Sequence, residues 1–430
     1  MRLRTKVLLQ RQMVQKQAQQ TAERLDRIEI KGFRSLKDVA WEPGRLNVII
    51  GRNGSGKSNF LWGLEFLQES VRGNLREKIL AEGGIRQLLW DQKAQNVSWK
   101  TDITVQRPGI SARSLTYELA LRPRGFEGGY YVEHELLADF QKVKAGEKSD
   151  PFKLIERSHN HTVIWDSEKH KLVNFPAVTA AADTEGEQVS NLPDDGAALS
   201  AVLPYGDILL ILYARALGRF RVIHDFDTSR KAPVREAAVA RVENTLLPDG
   251  RNLVPLLHTL YTGNRDFKRD LDSAMRAAFP HDFESLVFPP AADQKIQLRV
   301  QWKKLSNSVS AADLSDGTLR FLMLIAALAN PKQGSILAID EPETGLHPSM
   351  FPIVAEFAAA ASERTSVILT THSPQFLDSF PHDCIPTVTV VECVEGETKL
   401  TTPPSDELKV WLKDYSLGSM SKSGILETLT

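Results

Sequence analysis

Residues 51–58 are the first candidate for chemistry, because their spacing suits the binding of a phosphate chain. The run GRNGSGKS matches the pattern G-x-x-x-x-G-K-[ST] in full. Its glycines let consecutive backbone N–H groups turn toward phosphate oxygens, and a following helix adds positive potential at its N-terminus. Lys57 is predicted to reach the β- and γ-phosphates of ATP, and Ser58 to ligate Mg²⁺. The residues expected to line the nucleotide are Gly51, Asn53, Gly54, Ser55, Gly56, Lys57, Ser58 and Asn59.

Two carboxylates that follow the apolar run at 336–339 are the second candidate. Asp340 is predicted to hold Mg²⁺ mostly through water, since this ion keeps much of its hydration shell. Glu341 is predicted to act as general base on the attacking water. Without the phosphate-binding loop, two solvated acids at a strand end would be the simpler interpretation. With that loop, the pair predicts hydrolysis of ATP.

Two further segments could complete a nucleotide site. Ser315 and Gly317 precede an apolar helix. The serine either caps this helix or binds a phosphate together with the helix N-terminus, and the residues alone leave both interpretations open. His372 follows a buried strand and is predicted to contact the γ-phosphate or its water. Its place after a third buried strand favours function over a purely structural histidine.

The elements that position these residues follow from the apolar patterns. Strands are predicted at 27–30, 46–50, 336–339 and 367–370, and helices after Lys57 and at 319–329 and 350–361. Residues 97–175 are predicted to form short antiparallel strands, and residues 199–286 to be mostly helical. Strands that alternate with helices predict an α/β fold whose mainly parallel sheet is covered on both faces.

Length and composition set broad limits. A chain of 430 residues with 42% hydrophobic and 25% charged residues suggests a globular protein of more than one structural unit. The formal net charge of -1 neither favours nor excludes nucleic acid, because net charge does not report distribution. No membrane span or secretory signal is predicted. Cys384 and Cys393 are predicted to be buried free thiols, which favours a cytoplasmic location.

The motifs, in this order, resemble the ATP-binding-cassette (ABC) class of ATPases. Residues 314–320 resemble its signature motif, with Asp316 where a glycine is common. The run DEPETGLHP at 340–348, with residues 30–36 and 51–59, is similar to the RecF/SMC-like predicted ATPases of the AAA family ATPase group, which includes the overcoming-lysogenisation-defect (OLD) proteins. Residues 97–310 carry no motif of this kind.

The resemblance implies an ABC-type P-loop ATPase head, with an antiparallel β subdomain and an inserted helical region beside the mainly parallel sheet. It implies a homodimer that sandwiches ATP. Ser315 and Gly317 of one copy then complete the site formed in the other by Lys57, Ser58, Asp340, Glu341 and His372.

The family also uses a glutamine after the first helix to sense Mg²⁺ and the γ-phosphate, and Gln87 and Gln92 remain alternatives for it. Arg34 resembles a basic residue near the nucleotide in relatives, and a plain surface arginine is the alternative.

Four segments are predicted along the chain. They are a polar N-terminal extension (1–24), an N-terminal ATPase lobe with antiparallel strands (25–180), an inserted mainly helical region (181–290) and a C-terminal ATPase lobe with the signature, Walker B and histidine motifs (291–430). OLD proteins carry a Toprim nuclease after the ATPase. Residues 386–402 are predicted instead to form a hairpin that turns near Gly396, so no nuclease domain is expected in this chain.

Two functions are compatible with these motifs. The main hypothesis is an ATP-switched dimer that acts on DNA in repair or genome maintenance. Basic residues such as Arg72, Arg76 and Lys78 could serve it, or could be an ordinary solvated helix face. The alternative is an ATPase scaffold or sensor that controls a separate effector protein in antiphage defence, with the N-terminal extension as docking element. The long gap between Lys57 and Ser315 argues against a transporter's nucleotide-binding domain.

Overall fold

The structure, a computed structural model, describes residues 23–107, 110–125, 129–141, 150–158, 161–175, 192–202, 207–381 and 383–429. Residues 1–22 of the predicted N-terminal extension and residues 176–191, at the boundary between the second and third predicted segments, lie outside the described residues. The chain divides into two compact units. Unit 1 comprises the chain up to Pro43, Arg52–Phe220 and Val391–Leu400, and unit 2 comprises Gly44–Gly51, Arg221–Val390 and Thr401–Thr430.

The elements follow in chain order. The strands are β1 (Arg24–Phe33), β2 (Leu36–Trp41), β3 (Leu46–Ile50), β4 (Val97–Arg107), β5 (Ile110–Arg124), β6 (Gly129–Asp139), β7 (Phe152–Ser158), β8 (His161–Asp166), β9 (Lys171–Asn174), β10 (Phe220–Ile223), β11 (Ala238–Val239), β12 (Phe283–Val287), β13 (Pro290–Ala291), β14 (Lys295–Ile296), β15 (Arg299–Trp302), β16 (Val309–Ser310), β17 (Ile336–Ile339), β18 (Ser366–Thr371), β19 (Thr387–Val394) and β20 (Glu397–Thr401). The helices are α1 (Lys57–Arg72), α2 (Leu75–Ala81), α3 (Ile85–Leu88), α4 (Ala198–Ala201), α5 (Ile208–Gly218), α6 (Leu253–Gly263), α7 (Arg265–Ala278), α8 (Asp316–Leu328), α9 (Phe351–Ser362), α10 (Pro374–Leu377), α11 (Ser405–Trp411), α12 (Leu417–Ser423) and α13 (Ile425–Thr428).

Unit 1 is built on an antiparallel sheet with the strand order β2-β1-β4-β5-β6-β7-β8-β9. From β4 onward each strand pairs with the next along the chain, which confirms the antiparallel strands predicted at 97–175. Helix α1 packs closely on β1, because a Cβ at Gly63 would lie 2.6 Å from Ile30 Cδ1. The rings of Phe33, Phe66 and Trp99 pack together at this contact, with centroids 5.3 and 5.6 Å from that of Phe33. This packing fixes the helix that follows the phosphate-binding loop.

Most strands of the mainly parallel sheet lie in unit 2, and the strand order of this sheet is β10-β17-β18-β3-β19-β20. Strands β17, β18, β3 and β19 pair in parallel. Every residue of β3, β17 and β18 is buried, as expected for a sheet covered on both faces. Helix α8 is also buried at most positions, and Pro352 stands in the first turn of α9, where a proline needs no N–H partner. The predicted α/β fold with a mainly parallel sheet is confirmed.

The segment predicted as mostly helical, 199–286, differs in part from that prediction. Helices α4 to α7 fall almost entirely within it, but residues 224–252 have mainly irregular structure apart from β11 and a short 3-10 turn, and Phe220–Ile223 forms strand β10 beside β17. Pro233 and Pro248 account for part of the difference, because proline ends or blocks helices. Strand β10 extends the mainly parallel sheet by one strand, on the edge of β17 opposite to β18.

The cysteine prediction is wrong about burial. Cys384 and Cys393 are free thiols, but Cys384 is half-buried and Cys393 is exposed. The reason is local: Cys393 lies in the last three residues of β19, all of which are exposed, whereas the preceding residues are buried. The predicted hairpin is present, with Gly396 at its turn in a left-handed conformation (φ 79°). Within the described ranges, no helix combines the length and apolar character needed to cross a bilayer.

Candidate functional site

Three neighbouring parallel strands of unit 2 end at one edge of the sheet. Ile50 of β3 is the Cα partner of Thr371 in β18, and Leu369 of β18 is the partner of Ile339 in β17. Parallel strands bring their carboxyl ends to the same edge, where ligands of α/β sheets commonly bind. The residues that follow these strands are Gly51, His372 and Asp340.

The phosphate-binding loop in unit 1 turns at two glycines with left-handed backbone. Gly54 has φ 79° and Gly56 has φ 107°, and Gly56 forms the N-cap of α1. Lys57 is only 5% exposed, and its Nζ donates to the carbonyl of Arg52 at 3.1 Å. The lysine therefore folds back across its own loop, and its contact with the phosphates of a nucleotide stays a prediction.

Ser55 shows that the loop suits a polar ligand. Its hydroxyl is buried and has no hydrogen-bond partner among the described residues. Such a group is costly unless it meets another polar atom. A phosphate oxygen would satisfy it, so the loop fits the nucleotide that the motif implies. Asn59, predicted to line the nucleotide, donates its amide to Ser35 Oγ at 2.8 Å, and its role at the nucleotide stays a prediction.

One buried hydroxyl of unit 2 contacts the side chain of Asp340 and the backbone of Glu341. Thr370 of β18 is fully buried, and its Oγ1 accepts the backbone N–H of Glu341 at 3.0 Å and donates to Asp340 Oδ1. Glu341 has a left-handed backbone (φ 43°), which is uncommon for a residue with a side chain and is associated with functional sites. The chain therefore turns sharply between the two acids.

Glu341 and His372 form a pair that solvent can reach. His372 Nδ1 lies 2.9 Å from Glu341 Oε1, and their side chains are 47% and 32% exposed. Thr344 Oγ1 contacts the other carboxylate oxygen at 3.4 Å. The structure thus brings together the predicted general base and the predicted γ-phosphate contact.

Glu343 supplies a further carboxyl group near this pair. It is 7% exposed, and Thr371 Oγ1 donates to its Oε1. Burial raises the pKa of Glu343, the hydrogen bond from Thr371 opposes that shift, and the nearby charge of Glu341 adds to it. Ser373 N–H donates to the same Thr371 hydroxyl at 2.9 Å, which ties the residue after His372 to this buried network.

Ser315 satisfies the capping interpretation, because its Oγ accepts the N–H of Thr318 at 3.2 Å. Ser315 and Asp316 are nevertheless exposed, so the start of α8 is open to a partner. There is no room for a side chain at Gly317, because a Cβ there would lie 2.9 Å from the carbonyl oxygen of Gly345. The role of this segment in binding phosphate stays a prediction.

The structure leaves the choice of glutamine open. Gln87 lies in α3 and Gln92 in the short turn Trp90–Gln92, and both are exposed. Asp91 and Gln92 have left-handed backbone (φ 49° and 53°), so this turn is held in an uncommon conformation. Arg34 pairs with Glu82 at 2.5 Å, which engages its guanidinium within unit 1.

Each of the two motifs contains an oxygen donor of the kind that Mg²⁺ prefers. The described residues contain no group of three or more His, Cys, Asp or Glu that could cage a metal ion. Mg²⁺ does not need one, because it commonly uses one or two protein oxygens with phosphate and water. The Ser58 hydroxyl and the Asp340 carboxylate are oxygens of this kind.

Sequence reasoning missed three residues that contact the motifs. Thr370 contacts the Asp340 side chain and the Glu341 backbone, His224 Nδ1 lies 3.9 Å from Asp340 Oδ2, and Arg235 contacts the signature segment. A signal existed for His224, because the run 220–223 has three apolar residues out of four and is followed by His224 and Asp225, much as β17 is followed by Asp340 and Glu341.

Comparison with known proteins supports the assignment of the fold. Residues 194–378, less than half of the chain, match the family described as "AAA domain, putative AbiEii toxin, Type IV TA system". An OLD nuclease from Thermus scotoductus is 21% identical over 367 residues, which cover 82% of this chain and 60% of that protein. Structural maintenance of chromosomes protein 3 from Caenorhabditis elegans is 41% identical over 58 residues, 13% of this chain and 5% of that protein. The chain thus spans less than two thirds of either relative.

Solved structures of Smc head domains share the fold. One, bound to the C-winged helix domain of ScpA, superposes with a TM-score of 0.54 at 13% identity, covering 90% of this chain and 99% of the other. A second, from Pyrococcus furiosus, has an extended coiled coil and the C-terminal domain of ScpA, with a TM-score of 0.54 at 11% identity and coverage of 91% and 99%. These likenesses show that the chain has the fold of Smc head domains, and its motifs resemble those of RecF/SMC-like, OLD-like ATPases of the ABC class.

Proposed function

We propose that the chain binds ATP at its phosphate-binding loop, hydrolyses it with Mg²⁺, and cycles through an ATP-bridged homodimer that acts as a switch on DNA in repair or genome maintenance. The carrying observation is the shared edge of β3, β18 and β17, where the loop begins and where His372, Asp340 and Glu341 follow their strands. A chance combination of these residue types would not fall on three adjacent strand ends.

Each residue has a role that its chemistry allows. Lys57 presents its ammonium to the β- and γ-phosphates, and Ser58 and Asp340 offer oxygens to Mg²⁺, which when bound offsets phosphate charge. Glu341 accepts a proton from the attacking water. His372, 2.9 Å from Glu341, orients that carboxylate and contacts the γ-phosphate.

Dimerisation is proposed through the start of α8. Ser315 and Asp316 are exposed there, and the helix spans 13 residues, so its N-terminus can offer N–H groups and a dipole to an anion. In the proposed dimer this segment binds the γ-phosphate held by the partner subunit.

A second function, control of a separate effector protein as in antiphage defence, is favoured by the charges after the phosphate-binding loop. The basic residues considered for DNA are paired with acids: Arg72 with Glu69 at 3.0 Å, Arg76 with Asp195 at 3.4 Å, and Lys78 with Glu65 at 3.0 Å. Cations already matched in this way provide little of the uncompensated positive charge that DNA phosphates require.

The test is steady-state hydrolysis of ATP with Mg²⁺, with and without double-stranded and single-stranded DNA. Glu341→Gln should lower kcat by about 100-fold or more while ATP still binds, because it removes a general base. Glu356→Gln, on the exposed side of α9, is the matched control and should hydrolyse ATP normally. Lys57→Ala should abolish tight ATP binding.

The outcomes separate the hypotheses. Normal turnover by Glu341→Gln would contradict the general-base assignment, and the absence of ATP binding by the wild type would overturn the whole proposal. Strong stimulation by DNA would support the DNA switch. Hydrolysis that is indifferent to DNA would instead support control of a protein effector.

A further inference from the structure

The hairpin formed by β19 and β20 contacts the phosphate-binding loop within unit 1. Thr398 of β20 is 1% exposed, and its N–H donates to the carbonyl of Ser35 at 2.8 Å. Gly56 lies so close to this threonine that a Cβ at Gly56 would collide with Thr398 Oγ1. The loop and the hairpin are therefore in direct contact, although they are far apart in sequence.

A chain of hydrogen bonds runs through this contact. Asn59 Nδ2 lies 2.8 Å from Ser35 Oγ, Ser35 Oγ lies 2.7 Å from Thr398 Oγ1, and Thr398 Oγ1 lies 2.9 Å from the carbonyl oxygen of Ser55. An amide nitrogen only donates, a carbonyl only accepts, and each hydroxyl carries one proton. Thr398 Oγ1 is the donor toward both Ser35 Oγ and the carbonyl of Ser55, so these two acceptors compete for its single proton. The hydroxyl of Thr398 thus reaches the carbonyl of the loop directly.

The last bond of this chain fixes a peptide plane. The carbonyl of Ser55 and the N–H of Gly56 belong to one planar trans peptide, so they point in opposite directions. When Thr398 holds the carbonyl toward the hairpin, the N–H of Gly56 is turned away from the hairpin. This N–H is one of those that the motif uses to bind phosphate oxygens.

We propose that Thr398 is a positioning residue for nucleotide binding, which fixes the Ser55–Gly56 peptide so that the loop meets phosphate without rearranging. The inference rests on the proposed function, because it concerns the same nucleotide. It adds to the site a residue from the last strand of the sheet, which no phosphate-binding motif includes.

The experiment measures the affinity of the full chain for ATP and for ADP by calorimetric titration, together with KM and kcat for hydrolysis. Thr398→Val should weaken binding of both nucleotides by about tenfold, because one buried hydrogen bond that orients the loop is lost. KM should rise by a similar factor, and kcat at saturating ATP should stay unchanged.

Two variants serve as controls. Thr398→Ser keeps the hydroxyl and should retain the wild-type affinity, whereas a purely steric role would make the smaller side chain fail. Thr401→Val alters an exposed threonine at the end of the same strand and should have no effect. Wild-type affinity in Thr398→Val, with binding abolished in Lys57→Ala, would overturn this inference and leave the proposed function standing.

Ser35→Ala provides an independent test if Thr398→Val does not fold. It removes the acceptor that competes for the Thr398 proton at a partly exposed residue, so the bond from Thr398 to the Ser55 carbonyl is kept and ATP affinity and kcat should not fall. Combined with Thr398→Val, it should leave the tenfold loss of that variant unchanged, because the hydroxyl on which it acts is absent. A fall in ATP affinity in Ser35→Ala, or a larger loss in the double variant than in Thr398→Val, would contradict the proposal.

Discussion

At the residue scale, Thr370 determines where the two carboxylates of unit 2 lie. Its hydroxyl accepts the N–H of Glu341 and donates to Asp340, so a single group holds the proposed general base and the proposed Mg²⁺ contact in one arrangement. Glu341 has the uncommon φ of 43°, a conformation that persists only when surrounding contacts impose it. We therefore expect Thr370 to act as a positioning residue for the two acids.

Thr370→Val should therefore lower kcat for ATP hydrolysis by about tenfold while ATP affinity stays near that of the wild type. The isosteric change leaves the buried N–H of Glu341 without its acceptor, at a cost of roughly 1–3 kcal/mol. Steady-state kinetics together with ATP titration measures both quantities. Thr370→Ser keeps the hydroxyl and should restore turnover. A parallel loss of affinity, or failure of the serine variant to rescue, would point to a general structural role instead.

The same residues mark what sequence could and could not predict. Lys57, Asp340 and Glu341 stand in a fixed local spacing after buried strands, so their types alone indicated their chemistry. The contacts of Thr370 depend on the register between β17 and β18, in which Ile339 pairs with Leu369. That register is a property of the tertiary structure, and no local sequence pattern predicts it.

At the element scale, Arg235 holds the segment that leads into α8. Its side chain is 8% exposed, donates to the carbonyls of Leu314 at 2.7 Å and Ala312 at 3.0 Å, and pairs with Asp316. It also donates to the carbonyl of Thr228 at 3.0 Å. One guanidinium thus ties the turn-rich segment after β10 to the signature motif. It also offers a reason for Asp316, which stands where relatives commonly have glycine.

Arg235→Lys should reduce ATP-dependent dimerisation and turnover while ATP binding by the single chain is retained. An ammonium cannot make the spread of hydrogen bonds that a guanidinium makes, so the signature segment should lose its fixed position. Sedimentation with ATP and a parallel ATP titration distinguish the two effects. Arg230→Lys, an exposed residue on the same segment, is the control. Normal dimerisation of the Arg235 variant would show that the signature segment holds its position without this arginine.

Elements whose apolar residues form a clear local pattern were predicted from the sequence. Elements stabilised by long-range contacts were not. Strands β3, β17 and β18 are continuous apolar runs and were found within a residue or two of their bounds. Strand β10 was missed because its four residues follow a helix and are stabilised by pairing with β17, a partner more than a hundred residues later. The same reason hid the contact of Thr398 with the phosphate-binding loop.

At the scale of the whole molecule, the proposed switch requires that the start of α8 serve a second copy of the chain. Ser315 already caps its own helix, and both Ser315 and Asp316 are exposed. Within one chain this segment has its local hydrogen bonds satisfied, so the capping role alone does not require a partner. If Ser315 only caps its helix, dimerisation should not depend on its access to a partner. If Ser315 binds the partner's phosphate, dimerisation should depend on it.

Glu341→Gln with ATP and Mg²⁺ should form a dimer that is stable in sedimentation, because ATP binds but is not consumed. Adding Ser315→Arg should leave that double variant monomeric while its ATP affinity stays unchanged, since a bulky cation at the start of α8 would block the partner's nucleotide without touching the chain's own loop. Ser306→Arg, at an exposed turn of unit 2, should still dimerise. If Ser315→Arg dimerises normally, Ser315 acts only as a helix cap. If it loses ATP affinity as a monomer, the serine serves the site of its own chain and the exchange between subunits is wrong.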